Sequence, residues 1–352
     1  MKISDVDKNL AVESKLNLSD VVWFDAKDEP FSIHGLYRTE KGKLFLRLPL
    51  ETAKATSAGV YWLNQHTAGG RIRFRTNSPY IAIKAVMPDN ATMAHITMLG
   101  QSGFDLYRSD DGVYQYNRSF VPGGRNHGYE SSQKTDGQWH TYTIHMPLYD
   151  PVEEVYIGLA ADAEVEKAQP YRYEKPVLYY GSSITQGGCA SRPGNAYQAM
   201  IARRFDADFI NLGFSGNAKA EAVMCEYLAS LDVSVFVCDY DHNAPNAAHL
   251  EATHEPLYRT YRAKNPDTPI IFISKPDYYP ENPDDVRRRA IVKATYDRAV
   301  SEGDRNVYYI DGAHLFDGEF ADSCTVDGCH PNDLGFFRMA QKIGDVVGQV
   351  LK

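Results

Sequence analysis

Five short runs that are apolar throughout, at 177–180, 209–212, 233–238, 270–274 and 307–310, recur in the second half of the chain. Helix-length segments at 195–205, 219–230, 247–264 and 284–302 separate them. A strand with no polar face has to be covered on both sides, and the crossover helices between parallel strands supply that cover. The pattern predicts an α/β unit, a parallel five-stranded sheet between two layers of helices. Local signals agree. Asn282-Pro283 offers a cap and a proline at the first helical position, and Gly303 stands where a helix should stop. A last helix is expected from near Asn332-Asp333 to the C-terminus.

The first half follows another period. Arg71-Ile72-Arg73-Phe74-Arg75, Tyr80-Ile81-Ala82-Ile83-Lys84-Ala85-Val86 and Trp139-His140-Thr141-Tyr142-Thr143-Ile144-His145-Met146 alternate, as strands with one buried face do. Turn signals punctuate the region at Asn77-Ser78-Pro79, Pro88-Asp89-Asn90, Asp110-Asp111-Gly112, Pro122-Gly123-Gly124 and Asp136-Gly137. No long amphipathic helix intervenes, so a β-sandwich of jelly-roll type is expected. The small, charged, proline-ended stretch 160–170 and its continuation to 175 read as a connection. The expected organisation is a β-sandwich over 1–165, a linker over 166–175 and an α/β domain over 176–352, since 352 residues is long for one core.

A net charge of −9 argues against nucleic acid or anionic membrane as a partner. No apolar run approaches the length of a membrane-spanning helix. Residues 1–18 carry charge throughout and lack an apolar signal core, which reads as cytoplasmic. Aromatic residues make up 12%, with 24 tyrosines, which fits β-structure before it fits a sugar-stacking site. Five cysteines, Cys189, Cys225, Cys238, Cys324 and Cys329, form no regular framework, and no disulfide is expected even between the neighbouring Cys324 and Cys329. There is no CxxC pair, and His242, His249 and His254 do not share one helix face, so they read as solvated and no metal is expected. With no Gly-x-Gly-x-x-Gly and no P-loop, no cofactor is implied.

In a doubly wound sheet the strands point their carboxyl ends to one edge, where sites form. The first strand leads there into Gly181-Ser182-Ser183, and the second into Gly213-Phe214-Ser215-Gly216-Asn217. The third leads into Asp239-Tyr240-Asp241-His242-Asn243, and the fourth into Lys275-Pro276-Asp277. Between the fifth strand and the last helix lies Thr325-Val326-Asp327-Gly328-Cys329-His330-Pro331-Asn332. A serine, glycines, an asparagine, an aspartate and a histidine at one edge are the parts of a serine hydrolase. No Gly-x-Ser-x-Gly elbow is present, which disfavours the α/β-hydrolase fold.

Gly181-Ser182-Ser183-Ile184-Thr185 resembles the first block of the SGNH (GDSL-type) hydrolases, Gly-Asp-Ser-Leu, with Ser182 in place of the aspartate. Asn211-Leu212-Gly213-Phe214-Ser215-Gly216 is similar to the second block, and Asn243 matches the asparagine of the third, although the glycine and aspartate that flank it in the family are missing. Asp327-Gly328-Cys329-His330 matches the terminal Asp-x-x-His block. Upstream, Gly103-Phe104-Asp105-Leu106-Tyr107 resembles the Gly-x-Asp-Leu-Tyr motif of a β-rich domain that precedes some bacterial SGNH hydrolases.

The resemblance implies a flavodoxin-like three-layer domain. It implies Ser183 as nucleophile, His330 as base and Asp327 as the group that fixes the imidazole. The backbone N–H of Ser183, that of Gly216 and the Asn243 amide would form the oxyanion hole. Other readings of these residues stay open. Ser182 is the rival nucleophile and Asn246 the rival of Asn243. Gly216 could serve only its turn, and Asp327 could be a loop acid beside a Ser–His dyad. Asp105 and Tyr107 read as structural, with the aspartate bonding backbone in a tight corner, and Arg192 reads as surface. The expected function is hydrolysis of short acyl esters, acetyl above all, of a carbohydrate or another small alcohol. An acyltransferase using the same residues, or a carbohydrate-binding protein with a decayed site, are the alternatives. A small-molecule ester is the expected partner, and homo-oligomerisation is left open.

Overall fold

The computed structural model describes residues 16–37, 40–88, 92–123, 127–277, 279 and 282–352. The charged N-terminal segment up to residue 15 and the turn positions Asp89, Asn90 and Gly124 lie outside the described residues. Among the described residues ten strands occupy the first half: β1 (Val21–Asp25), β2 (Ser32–His34), β3 (Arg71–Thr76), β4 (Tyr80–Val86), β5 (Phe104–Asp110), β6 (Val113–Phe120), β7 (Gly128–Lys134), β8 (His140–His145), β9 (Glu154–Ala160) and β10 (Val165–Glu166). They form two antiparallel sheets, one ordered β1-β9-β4-β7 and the other β10-β3-β8-β5-β6 with β2 paired to β3. Ile81, Ile83, Ile157 and Leu159 of the first sheet meet Ile72, Phe74, Leu106 and Ile144 of the second in one apolar cluster, so this half is a sandwich. Short helices α1 (Leu50–Thr56), α2 (Ala58–Leu63) and α3 (Met98–Ser102) sit in its connections.

The second half carries β11 (Tyr173–Gly181), β12 (Ala207–Gly213), β13 (Val235–Asp239), β14 (Ile270–Ile273) and β15 (Val307–Ile310), all parallel, in the order β12-β11-β13-β14-β15. Its helices are α4 (Ser183–Gln186), α5 (Tyr197–Phe205), α6 (Ala222–Ser230), α7 (Ala247–Lys264), α8 (Pro283–Ser301) and α9 (Asp333–Val350). Ile201 of α5 with Ile343 and Val347 of α9 cover one face of the sheet. Met224 of α6, Leu250 and Leu257 of α7 and Val292 of α8 cover the other. The doubly apolar strands thus have the two helix layers their composition requires. The stretch expected to be a linker is taken up at both ends, Glu166 by β10 and Tyr173 onward by β11.

The alternating strands of the second sheet have no solvent face along much of their length. Arg71, Arg73, Thr141, Thr143, His145 and Asp105 are all buried, because this face packs on the α/β half. Arg71 pairs with Asp208 of β12 and donates to the Phe209 carbonyl at 2.9 Å. Asp105 accepts the backbone N–H of Gly194 at 2.7 Å and a guanidinium N–H of Arg192 at 3.0 Å. Its other carboxylate oxygen accepts the Ser119 hydroxyl at 2.6 Å. Arg192 also donates to the Tyr107 hydroxyl and stacks on the Tyr116 ring at 4.0 Å. The Gly-x-Asp-Leu-Tyr motif is therefore a docking element. Asp105 bonds backbone of the other half rather than a local corner, and Arg192 is a half-buried seam residue rather than a surface one.

Arg47 crosses the same seam. It is fully buried, donates to the Leu63 carbonyl at 2.6 Å and to the Gly213 carbonyl, and lies over the Phe214 ring at 4.4 Å. Burial pulls its guanidinium down to about 9, and carbonyl oxygens and a ring face, in place of a carboxylate, solvate the charge.

The two halves are expected to unfold as one. Asp105→Ala leaves the Gly194 N–H and the Arg192 guanidinium without their acceptor and should lower stability by about 3 kcal/mol. Chemical denaturation followed by tryptophan fluorescence and by circular dichroism should show coincident single transitions for both proteins, with the variant shifted to lower denaturant. Two separated transitions in the unsubstituted protein would contradict the interlocked seam.

Candidate active site

β11 ends at Gly181, level with Gly213 of β12 and Asp239 of β13. A Cβ at Gly181 would lie 1.6 Å from the Asp239 carboxylate, so only glycine lets the strand end pass its neighbour. The chain then enters α4, a single turn capped by Ser182, whose Oγ accepts the Ile184 N–H at 3.1 Å. Asp239 holds the turn from below by accepting the Thr185 hydroxyl and the Ser182 backbone N–H, and burial pushes its carboxyl up to about 8. Ser182 is thereby occupied as a cap, and Ser183 faces the site.

Ser183 Oγ lies 2.8 Å from Nε2 of His330, and His330 Nδ1 lies 2.7 Å from the Asp327 carboxylate. Asp327 and His330 come from one tight loop, closed by a bridge between Thr325 and Pro331. Asp327 also accepts the backbone N–H groups of Cys329 at 3.0 Å and His330 at 2.8 Å. Partial burial would raise its carboxyl, but these N–H groups and the His330 ring outweigh it and hold it down at about 2. An ionised carboxylate at Nδ1 keeps the proton there and turns the Nε2 lone pair to the serine hydroxyl.

The second strand end supplies the opposite wall. Gly216 sits at φ +68° beside open space. Among the described residues neither the Ser183 nor the Gly216 backbone N–H has a hydrogen-bond partner. Asn243 donates one amide hydrogen to the Phe214 carbonyl at 2.8 Å, which pins it to the Gly216 turn and leaves its second amide hydrogen to the site. The rival Asn246 is exposed and caps α7 by accepting the His249 N–H at 2.8 Å.

Two supporting residues and one bystander beside the site escape sequence reasoning. Tyr149, from the first half, donates its hydroxyl to the Ser183 carbonyl at 3.1 Å. Gln186 accepts the Ser215 N–H at 3.0 Å and donates to the Leu148 carbonyl at 3.1 Å, tying the Gly216 turn to the first half. His95, also from the first half, lies with its ring 5.5 Å from that of His330. No periodic or motif signal marks Tyr149 or His95, because each acts across the seam.

The three histidines expected to be solvated are otherwise engaged. His254 is buried between the Tyr240 and Phe272 rings and bonds Thr295 Oγ1 at 2.9 Å, and burial lowers its ring to about 3. His242 meets the Cys329 sulfur at 3.1 Å, and His249 donates to the Lys219 carbonyl at 2.9 Å. These three side chains turn to different neighbours, so they do not converge. All five cysteines are free thiols.

A strand–turn serine, an Asp-x-x-His loop and paired N–H donors at one sheet edge define a hydrolase of the SGNH type. Residues 174–348 match the GDSL-like lipase/acylhydrolase family, and residues 21–165 match the Gly-x-Asp-Leu-Tyr domain described as the N-terminus of SGNH-hydrolase-type esterases. A crystal structure of a protein described as a GDSL-like lipase from Bacteroides ovatus is similar at 32% identity and a TM-score of 0.85, over 94% of this chain and 98% of that one. The salicylyl-acyltransferase of a tetracycline biosynthetic pathway aligns at 19% identity and a TM-score of 0.79, over 96% and 100%. An acetyl xylan esterase from the rumen bacterium Butyrivibrio proteoclasticus aligns at 14% identity and a TM-score of 0.57, over 94% and 98%. The chain belongs to the GDSL-like lipase/acylhydrolase family and is an ester-hydrolysing enzyme. No curated protein sequence matches it. No helix among the described residues is long and apolar enough to cross a membrane.

Ser182→Ala removes a helix cap and should cost about 1 kcal/mol of stability while retaining hydrolysis of p-nitrophenyl acetate. Parallel denaturation curves and initial rates check both halves of this expectation; a variant that is stable but inactive would move the nucleophile to Ser182.

Proposed function

We propose that this protein is a serine esterase that works through an acyl-enzyme, with Ser183 as nucleophile, His330 as general base and acid, and Asp327 as the orienting carboxylate. The observation that carries the reading is the continuous relay from Ser183 Oγ through His330 to Asp327, with links of 2.8 and 2.7 Å, beside N–H groups that lack partners among the described residues. In the first half-reaction Ser183 Oγ attacks the ester carbonyl carbon while His330 Nε2 takes the hydroxyl proton. The carbonyl oxygen becomes an oxyanion within reach of the Ser183 N–H, the Gly216 N–H and the free Asn243 amide hydrogen. Collapse breaks the bond to the alkoxy oxygen, which leaves as the alcohol with the proton from His330. Water repeats the sequence on the acyl-serine and releases the acid.

The substrate we propose is a short acyl ester, acetyl above all, of a carbohydrate or another small alcohol. The two-part architecture shared with an acetyl xylan esterase supports this choice. A second reading, transfer of the acyl group to an acceptor hydroxyl in place of water, is favoured by one observation. The acyltransferase shares that architecture at a TM-score of 0.79, against 0.57 for the acetyl xylan esterase. The five free thiols fit a reducing compartment, and we place the enzyme in the cytoplasm. We take 176–352 as the catalytic unit and 1–165 as an accessory sandwich joined by 166–175, one that buttresses the nucleophile through Tyr149.

Ser183→Ala should abolish p-nitrophenyl acetate hydrolysis with the fold intact by circular dichroism. Asn243→Ala should lower kcat by roughly 10²–10³-fold. Asp327→Asn should lower it on the order of 10⁴-fold, whereas a loss of only a few-fold would leave a Ser183–His330 dyad. Full activity in Ser183→Ala would end the acyl-enzyme reading. A panel of acetylated sugars against longer acyl esters, run with and without acceptor alcohols, then separates hydrolysis from transfer. Transfer is indicated by acylated acceptor formed at the expense of free acid.

A further inference from the structure

The His330 ring has two neighbours for which the ester chemistry has no use. His95 arrives from the first half, exposed, on the stretch before α3. Cys189 arrives from the turn after α4, buried, with a backbone φ of 74°, a region that a residue with a side chain enters only at a cost. One ligand atom from each of His95, Cys189 and His330 lies within 4.8 Å of the other two. Two imidazoles and a thiol are the donor set preferred by a borderline-soft, tetrahedral divalent cation, which binds nitrogen at about 2.0–2.1 Å and sulfur at about 2.3 Å. His95 is exposed, so packing does not lock its side chain in place. Burial first, and the Asp327 carboxylate through space, push the Cys189 thiol up, so an ion has to displace its proton to bind there. Nδ1 of His330 is committed to Asp327, so Nε2 is the nitrogen the ring can offer. It is also the nitrogen that meets Ser183.

We propose that His95, Cys189 and His330 bind Zn2+, and that occupancy switches the enzyme off by taking the His330 Nε2 from Ser183. Three protein ligands and a water would complete the tetrahedron, with the thiol proton released to solvent on binding. The metal is an inhibitor and takes no part in catalysis. Chelation restores the hydrogen bond between His330 and Ser183 and with it the base. The first half of the chain thereby supplies one ligand of a regulatory site placed against the reacting atoms of the second. The inhibitory part rests on the serine-esterase reading; the binding part does not.

The full-length, metal-stripped protein is titrated with Co2+, whose spectrum reports tetrahedral geometry and thiolate ligation without reference to any substrate. A thiolate-to-cobalt band that Zn2+ displaces is expected. His95→Ala and Cys189→Ala should each weaken binding by about 10–100-fold or more and lose zinc inhibition, with metal-free p-nitrophenyl acetate hydrolysis unchanged. Ser183→Ala should keep the band and bind at least as tightly, since the competitor for Nε2 is gone. Absence of the band, or zinc inhibition undiminished in both ligand variants, would overturn the proposal. A band in a protein that hydrolyses no ester would uphold the site and count against the esterase reading instead.

Discussion

The hydrogen bond from the Tyr149 hydroxyl to the Ser183 carbonyl joins the two halves at the candidate nucleophile. It is one stitch in a seam that is polar and buried together. Arg47, Arg71, Asp105 and Tyr149 are all buried there. A buried polar group left unpaired costs about 1–3 kcal/mol, so every such group restricts how the halves can sit. Apolar surfaces would have let them slide. Here a small shift would strand a guanidinium or a carboxylate without partners, and the Ser183 turn inherits that rigidity.

The same logic reaches the oxyanion side. Gln186 stands between the Ser215 N–H and the Leu148 carbonyl, so the turn carrying Gly216 is fixed from the first half through one amide. Asn243 clamps the turn from the other side through the Phe214 carbonyl. Asp239 fixes the serine turn from below. The proposed oxyanion donors are thus held by bonds already made in the resting protein, as electrostatic preorganisation requires.

Much of the fold is legible in the sequence because the two halves obey different periods. Apolar runs such as Ile270–Ile273 announce a sheet covered on both sides. Alternation such as Ile72 and Phe74 announces a sandwich. The arginines that alternate with those two residues read as a solvent face, since a period-two pattern cannot tell water from a polar partner. Arg71 and Arg73 are buried and face the other half. The site is legible where its residues lie in short local blocks, as Asp327 and His330 do. Tyr149, Gln186 and His95 are not, because each acts at a distance in sequence that no local pattern spans. His254 misleads for a related reason: the spacing of His242, His249 and His254 says which could not share a helix face, but not which are buried.

Arg47 bonds a carbonyl more than a hundred and sixty residues downstream. A ribosome delivers the sandwich first, and its Arg47 guanidinium and Asp105 carboxylate wait in water until the stretch from Arg192 to Gly213 emerges. Non-local pairing of this kind is slow and leaves a half-made chain open to wrong partners. It also binds the heredity of the two halves. A sandwich carrying Asp105 and Arg47 fits only a partner that presents Gly194 and the Gly213 carbonyl in the right place, so such a chain is passed on as one piece, and exchange of either half with an unrelated neighbour would be lost before any question of activity arose.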